Sequence, residues 1–312
     1  MTLLEKAADA GSSISYQGVE LISTWGVGGN TTAVADIWHR SGGRTVTKTA
    51  ETGAAGGGQP YVSADTDAQA PEGVLGVTKK LVGLLGTHYR VVYAGPGSAD
   101  SRPARLVEAW RPGGGLAARF WLDRATNLPL RREVFDTKSH LVSEDVFIDL
   151  RLGAPAMAGK AASSSGPWSD RVTRAQLSWL RAHGWPVPAS LPDGLSLFDA
   201  DEDMMSTGRV LDLVYSDGLF VISLFVQRGT LPPRLPGWRE ITLDGRDVYA
   251  GQPDQRSLSW ACGGFVYTVM AEAPPADVDA AVGALPHNSP PSFWQRLSRG
   301  FGRLVSWANP FR

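Results

Sequence analysis

The five histidines, His39, His88, His140, His183 and His287, are the side chains best suited to bind a metal or move a proton near neutral pH. No two of them stand four residues apart, so the paired-histidine zinc pattern is absent. His39 closes a strand-like run and His183 a helix-like one, where a cation is locally favoured. The acidic run DADED (199–203) begins like a calcium loop. Its sixth position is Met204 and its twelfth Val210, where that loop requires Gly and Glu. The run therefore reads as a solvated acidic turn. Glu144 and Asp145 are adjacent on a strand-like segment and point to opposite faces, so they cannot share a proton. The glycine clusters GVGGN (26–30) and GAAGGG (53–58) lack the Gly-Lys-Ser/Thr ending of a phosphate loop and read as turns. No G-x-S-x-G elbow occurs. Cys262 is the only cysteine and lies in a strand-like run, which fits a buried, inert thiol. These residues call for no catalytic group, metal or cofactor, and the chain reads as a binding protein rather than an enzyme.

Composition agrees. In 312 residues, 43% are apolar and 11 are Trp, enough for real cores. The net charge of −1 argues against a general nucleic-acid binder, which would be basic with clustered Lys and Arg. High Gly (36) and Pro (21) suit many turns between short strands. No run of 18 apolar residues occurs, which leaves no transmembrane helix. The opening MTLLEKAADAGSSISYQG carries Glu5 and Asp9 where a signal peptide needs a basic start and an apolar core. It reads as cytoplasmic or as a mature chain trimmed of its leader.

The elements that must position any site are mostly strands. A short helix over 2–10 precedes strands at 16–25, 32–39 and 44–49. A second helix is predicted over 75–85, then hairpins at 105–122 and 130–150, with a strand at 89–93. Consecutive hairpins with few helices predict an α+β fold, with a curved antiparallel sheet or open barrel first. Residues 153–167, GAPAMAGKAASSSGP, are small and polar and read as a linker. A helix over 173–183, seven short strands and a closing helix over 275–285 make a smaller α+β domain. The expected organisation is therefore 1–152, a linker 153–167, 168–286, and a tail 287–312.

Three groups of side chains then stand out as candidates. Trp25, Trp38, Trp110, Phe120 and Leu122 are assigned to the inner face of the first sheet, as a filled core or as a cavity for an acyl chain or peptide. The stretch LVYSDGLFVISLFVQRG (213–229) reads as strand, Ser216-Asp217-Gly218 turn and strand. Its second strand is apolar at almost every position and expects cover on both faces. The tail SFWQRLSRGFGRLVSWANPFR (292–312) sets Phe293, Leu297, Phe301 and Leu304 at helical spacing. With Trp294, Arg296, Arg299, Arg303 and Trp307 it makes a basic amphipathic helix for a membrane surface or acidic partner, or a helix docked on its own domain.

Three stretches resemble the RseB/MucB family of periplasmic regulators of the envelope-stress sigma factor. They are SYQGVELISTW after the first helix; FWLDRATNLPLRREVFD (120–136), like the family's Leu-Asp, Thr-Gly-Leu-Pro-Leu-Arg, strand pattern; and LVYSDGLFVISLFVQRG, like its Tyr-Ser-Asp-Gly-Leu strand pair. Asn127 stands where the family prefers Gly, and Asn also accepts the left-handed conformation. VYTVMAEAPPADVDAAV (266–282) matches the strand and helix that follow. The resemblance implies a half-open antiparallel β-barrel of the lipoprotein-carrier (LolA/LolB-like) type with covering helices. The implied smaller domain holds a membrane-anchored anti-sigma factor, with Tyr215, Asp217, Phe220 and Phe225 as partner-binding residues. It further implies an extracytoplasmic location and a lipid or lipoprotein ligand that releases the partner. The alternative is a lipid or lipoprotein carrier with no regulatory partner.

Overall fold

The computed structural model describes residues 1–26, 29–42, 45–51, 61–64, 74–153, 170–205, 208–243, 245–251 and 257–287. The tail candidates Phe293, Trp294, Arg296, Arg299, Arg303 and Trp307, the GAAGGG loop and nearly all of the 153–167 linker lie outside them. Among the described residues, no helix is long and apolar enough to cross a membrane.

The chain opens with helix α1 (Thr2–Ser13) and then builds a nine-stranded antiparallel sheet. Its strands are β1 (Tyr16–Gly26), β2 (Gly29–His39), β3 (Thr45–Glu51), β4 (Tyr61–Ala64), β5 (Arg90–Ala99), β6 (Arg102–Trp110), β7 (Leu116–Asp123), β8 (Pro129–Phe135) and β9 (Leu141–Leu152). The spatial order is β4-β3-β2-β1-β9-β8-β7-β6-β5. Sequence neighbours pair as hairpins, and β1 joins the two halves by pairing with β9. β4 and β5 lie at opposite edges, so the sheet does not close on itself. This is a half-open barrel, and helix α2 (Lys79–His88) lies between its two edge strands in the chain.

The predicted helix over 75–85 starts later than expected. Leu75 and Gly76 have φ of 52° and 70°, which ends a single 3-10 turn. Thr78 then caps α2 by accepting the Leu81 N–H. The ATNLP turn behaves as its sequence reads: Asn127 takes φ 65°. Buried Asp123 accepts from the N–H groups of Ala125 and Thr126, and Arg102 Nε donates to it at 2.7 Å. That turn seats Leu128 and Leu130, both fully buried.

The second sheet has eight antiparallel strands in the order β10-β11-β12-β13-β17-β16-β15-β14. These are β10 (Asp170–Arg171), β11 (Ser196–Met205), β12 (Gly208–Ser216), β13 (Val221–Arg228), β14 (Arg239–Leu243), β15 (Arg246–Ala250), β16 (Ser257–Cys262) and β17 (Phe265–Glu272). Helices α3 (Arg174–Ala182) and α4 (Pro275–Ala284) cover one face. There Leu180, Val278 and Val282 join Leu211, Leu213, Ile222, Leu224 and Val269 in one apolar cluster. α3 begins at a capping box, Thr173 with Gln176. Two expectations change here. The acidic run 199–203 is part of β11, not a solvated turn, because its alternation matches the buried β12 beside it. β13 is buried on one face only, with alternate residues half-buried on the other. Cys262 is half-buried.

The cluster that fills the second sheet continues into the first. Leu4, Val82, Leu85, Phe120 and Leu122 belong to the same packed set as Leu219, Phe220 and Leu213. The two sheets thus share one apolar core, and each fully buried Leu or Phe in it contributes on the order of 1.5–3 kcal/mol.

Candidate functional site

Register decides which predicted ligand-binding residues face the hollow. Phe120 pairs with Val107 on β6 and Arg132 on β8, and Ala118 with Val134. Phe120, Leu122, Val107, Ala118 and Val134 are buried with Leu4 of α1 and Leu85 of α2, so this is the inner face. Trp25, Trp38 and Trp110 lie on the other one. Trp25 alternates with Leu21, which pairs with Val146 and, through it, Arg131; Trp38 alternates with Val34, opposite Leu21. Trp110 Nε1 donates to Glu108 at 3.2 Å on that same outer face. The five residues therefore do not form one group. Phe120 and Leu122 are in the hollow, and the three tryptophans are half-buried outside it. Their types suggest one inner face, and the pleat separates them.

The outer face instead carries a charge ladder. Arg119 bonds Glu108 at 3.0 Å, and Arg131 bridges Glu133 at 2.5 Å and Glu144 at 2.6 Å. The Arg131 guanidinium also lies 4.9 Å from the Trp121 ring centre, a cation–π arrangement. Glu144 and Asp145 do face apart: Asp145 pairs instead with inner-face Arg132 at 3.6 Å.

Where α1 and α2 cover Phe120, the hollow is filled among the described residues. Between Leu4, Val77, Leu81, Val82, Leu85, Phe120 and Gly218 there remains about 10 Å³, room for one water at most. Gly218 is in that list because the Ser216–Phe220 turn of the second sheet reaches across onto α2. Gly218 has φ 100°, and a Cβ there would lie 2.6 Å from Leu85 Cα and 2.8 Å from the Leu81 carbonyl oxygen. Only glycine allows that approach. The Tyr89 hydroxyl donates to Asp217, and Arg132, reaching from the inner face, donates to the Leu219 carbonyl. Lys80 donates to the Phe198 carbonyl nearby. The turn is rigid in itself: Asp217 Oδ1 accepts from the N–H groups of Leu219 (2.8 Å) and Phe220 (2.9 Å), and Ser216 Oγ donates to the Phe220 carbonyl at 2.7 Å.

This places the four predicted partner-binding residues. Tyr215 is fully buried and donates to the Pro188 carbonyl at 2.9 Å. Asp217 and Phe220 are buried in the contact between the sheets. Phe225 alone keeps partial exposure, on the face of the second sheet away from its helices. The reading of the first three as open to a partner fails on burial: their polar atoms are already used within the chain.

Two clusters of carboxylates accompany the contact. Asp277, in the first turn of α4, is pushed up to about 6 by burial and by the charges of Asp193, Asp217 and Asp136, which Arg111 opposes. Burial first, and then the Asp217 charge, holds the Tyr89 hydroxyl well above the ordinary tyrosine range. Further away, Asp212 of β12 sits directly opposite Asp201 of β11. Burial and the charges of Asp201 and Asp199 push it up to about 7. Sequence reading missed both Arg132 and Asp212. Arg132 shares its face with buried Leu130 and Val134, and Asp212 shares its face with buried Val210 and Val214, and apolar neighbours two residues to either side are the signal of a buried polar side chain. Among the described residues no group of His, Cys, Asp and Glu could hold a metal ion.

A half-open antiparallel barrel joined to a smaller helix-backed sheet, with a turn of one lodged in the other, defines the class of architecture. It is the fold of MucB. The crystal structure of MucB superposes with a TM-score of 0.54 at 21% identity, covering 92% of this chain and 97% of the other. The MucA/MucB complex from Pseudomonas aeruginosa gives 0.52 at 21% identity, over 92% and 98%. A further structure, MucB in complex with the periplasmic part of MucA, gives the same values. No protein-family model and no curated protein sequence matches the chain.

Proposed function

We propose that the protein is a non-catalytic regulator of the RseB/MucB family that works outside the cytoplasm by holding the extracytoplasmic segment of a membrane-anchored anti-sigma factor. The observation that carries this reading is agreement in fold, across 92% of the chain, with MucB, a protein crystallised with MucA. The three sequence stretches that resemble the family fall on structural joints of that fold, including the Asp123–Asn127 turn and the Ser216–Phe220 turn. In this reading residues 1–152 handle an apolar ligand such as a lipid or lipoprotein, and residues 168–286 hold the partner. Phe225, with the half-buried outer positions of β13 around it, is the predicted residue left with surface to offer. The basic tail from 287 onward supplies a membrane or acidic contact.

A ligand can release the partner only by its differential affinity for free and partner-bound protein. The test is capture from host membranes with the full chain as bait, with and without extracted lipid. Recovery of a single-pass membrane regulator that lipid displaces supports the reading. Recovery of no membrane protein at micromolar bait overturns it.

A further inference from the structure

The Ser216–Phe220 turn fills the very space that the curved sheet would offer to a ligand. Leu219 and Phe220 are 4% and 6% exposed and pack in one cluster with Leu4, Val82, Leu85 and Phe120. Gly218 lies against the α2 backbone, and the gap it lines with Leu81, Leu85 and Phe120 is about 10 Å³. An acyl chain needs several hundred Å³ of hollow, so none fits between Phe120 and α2 while the turn is in place. Yet the turn is not rooted there. It is braced internally by Asp217 and Ser216, and it meets the first sheet's elements through apolar contact and two polar contacts, Tyr89 to Asp217 and Arg132 to the Leu219 carbonyl. A preformed knob held by few polar contacts can withdraw without losing its own shape.

We propose that the Ser216–Phe220 turn is an internal stopper, so that an apolar chain occupies the hollow only when the two sheets part, and ligand binding and the closed arrangement exclude each other. For its ligand the stopper rests on the reading above; its geometry does not depend on any partner. Arg132 then has a second part: beside Asp145 on the inner face, it exchanges the Leu219 carbonyl for the polar head of the entering chain. Freed of the turn, the hollow exposes Phe120, Leu81, Val82 and Leu85.

The full chain with Cys262→Ser provides the test, with spin labels on cysteines placed at Tyr93 and Met204, which are 57% and 69% exposed on the two sheets. The probe is a fluorescent long-chain fatty acid. Saturating probe is expected to lengthen and broaden the label distance. Tyr89→Phe, which removes a hydrogen bond to a carboxylate, is expected to bind the probe about tenfold more tightly, and Arg132→Gln to broaden the distance in the absence of probe. Each variant is used only if its melting curve remains cooperative; Gly218→Ala is a third route to the same opening. Binding of the probe with the distance unchanged overturns the stopper. So do variants that open without binding more tightly, and so does failure of the probe to bind any of them. None of these outcomes touches capture of a membrane partner, so the two ideas fail separately.

Discussion

Asp212→Asn is expected to stabilise the protein at slightly alkaline pH, by an amount that shrinks through mild acid and vanishes near pH 4. Asp212 is 6% exposed and faces Asp201 across β11 and β12, with Asp199 and Asp203 on the same strand and Phe225 on the other side. Its Oδ1 has no hydrogen-bond donor among the described residues. An ordinary aspartate titrates at 3.8, and this one is pushed up to about 7. The folded protein therefore binds more protons than the unfolded chain between about pH 4 and pH 7. Stability from this group is present below that window and is lost as pH rises through it. Three units at about 1.4 kcal/mol each set a ceiling of about 4 kcal/mol. Because the carboxylates titrate as a coupled set, about 2 kcal/mol is the working expectation. Urea unfolding of both proteins across about pH 4 to pH 8.5 measures it. The difference between them isolates the set coupled to Asp212, since carboxylates outside that set cancel. The reasoning is refuted if the variant is no more stable than the parent at the alkaline end, or if the gain is the same at every pH.

The remaining predictions concern the join and the two faces of the first sheet. Gly218→Ala sets a methyl group against the Leu85 and Leu81 backbone at φ 100° and should cost about 2–4 kcal/mol, seen as a lower urea midpoint. Asp277→Asn removes one of the negative charges around Arg111 and should firm the contact between the sheets above about pH 6, where the parent's carboxyl ionises, with no effect well below it; label distances at two pH values check this. Phe120→Ala should cost about 3–5 kcal/mol, whereas Trp38→Ala, on the half-buried outer face, should cost clearly less and leave fatty-acid binding unchanged.

Much of the fold was legible because hairpins announce themselves locally. RPGGG between two alternating runs gave β6 and β7, and Asn127 gave its left-handed turn. The late start of α2 was not legible, since the left-handed Leu75 has no local cause in its own side chain. The site was harder. Residue type grouped five apolar side chains into one pocket, yet face depends on register, and pairing through β9 put the three tryptophans outside. The YSDGL stretch reads in sequence as a turn between two buried strands, a reading that leaves out the constraint on the turn itself. That constraint is the close approach of Gly218 to a helix far away in sequence, which nothing within the turn reveals. DADED reads as a turn because its charges suggest water, and the neighbouring strands bury Asp201 regardless.

The central claim, that this molecule acts by holding another protein and letting go in response to an apolar ligand, is tested most directly by calorimetric titration of the full chain with the extracytoplasmic segment of the membrane protein it captures. The account predicts one-to-one binding at micromolar affinity or tighter, weakened several-fold when the chain is first saturated with fatty acid. Absence of binding, or an affinity indifferent to the fatty acid, contradicts it.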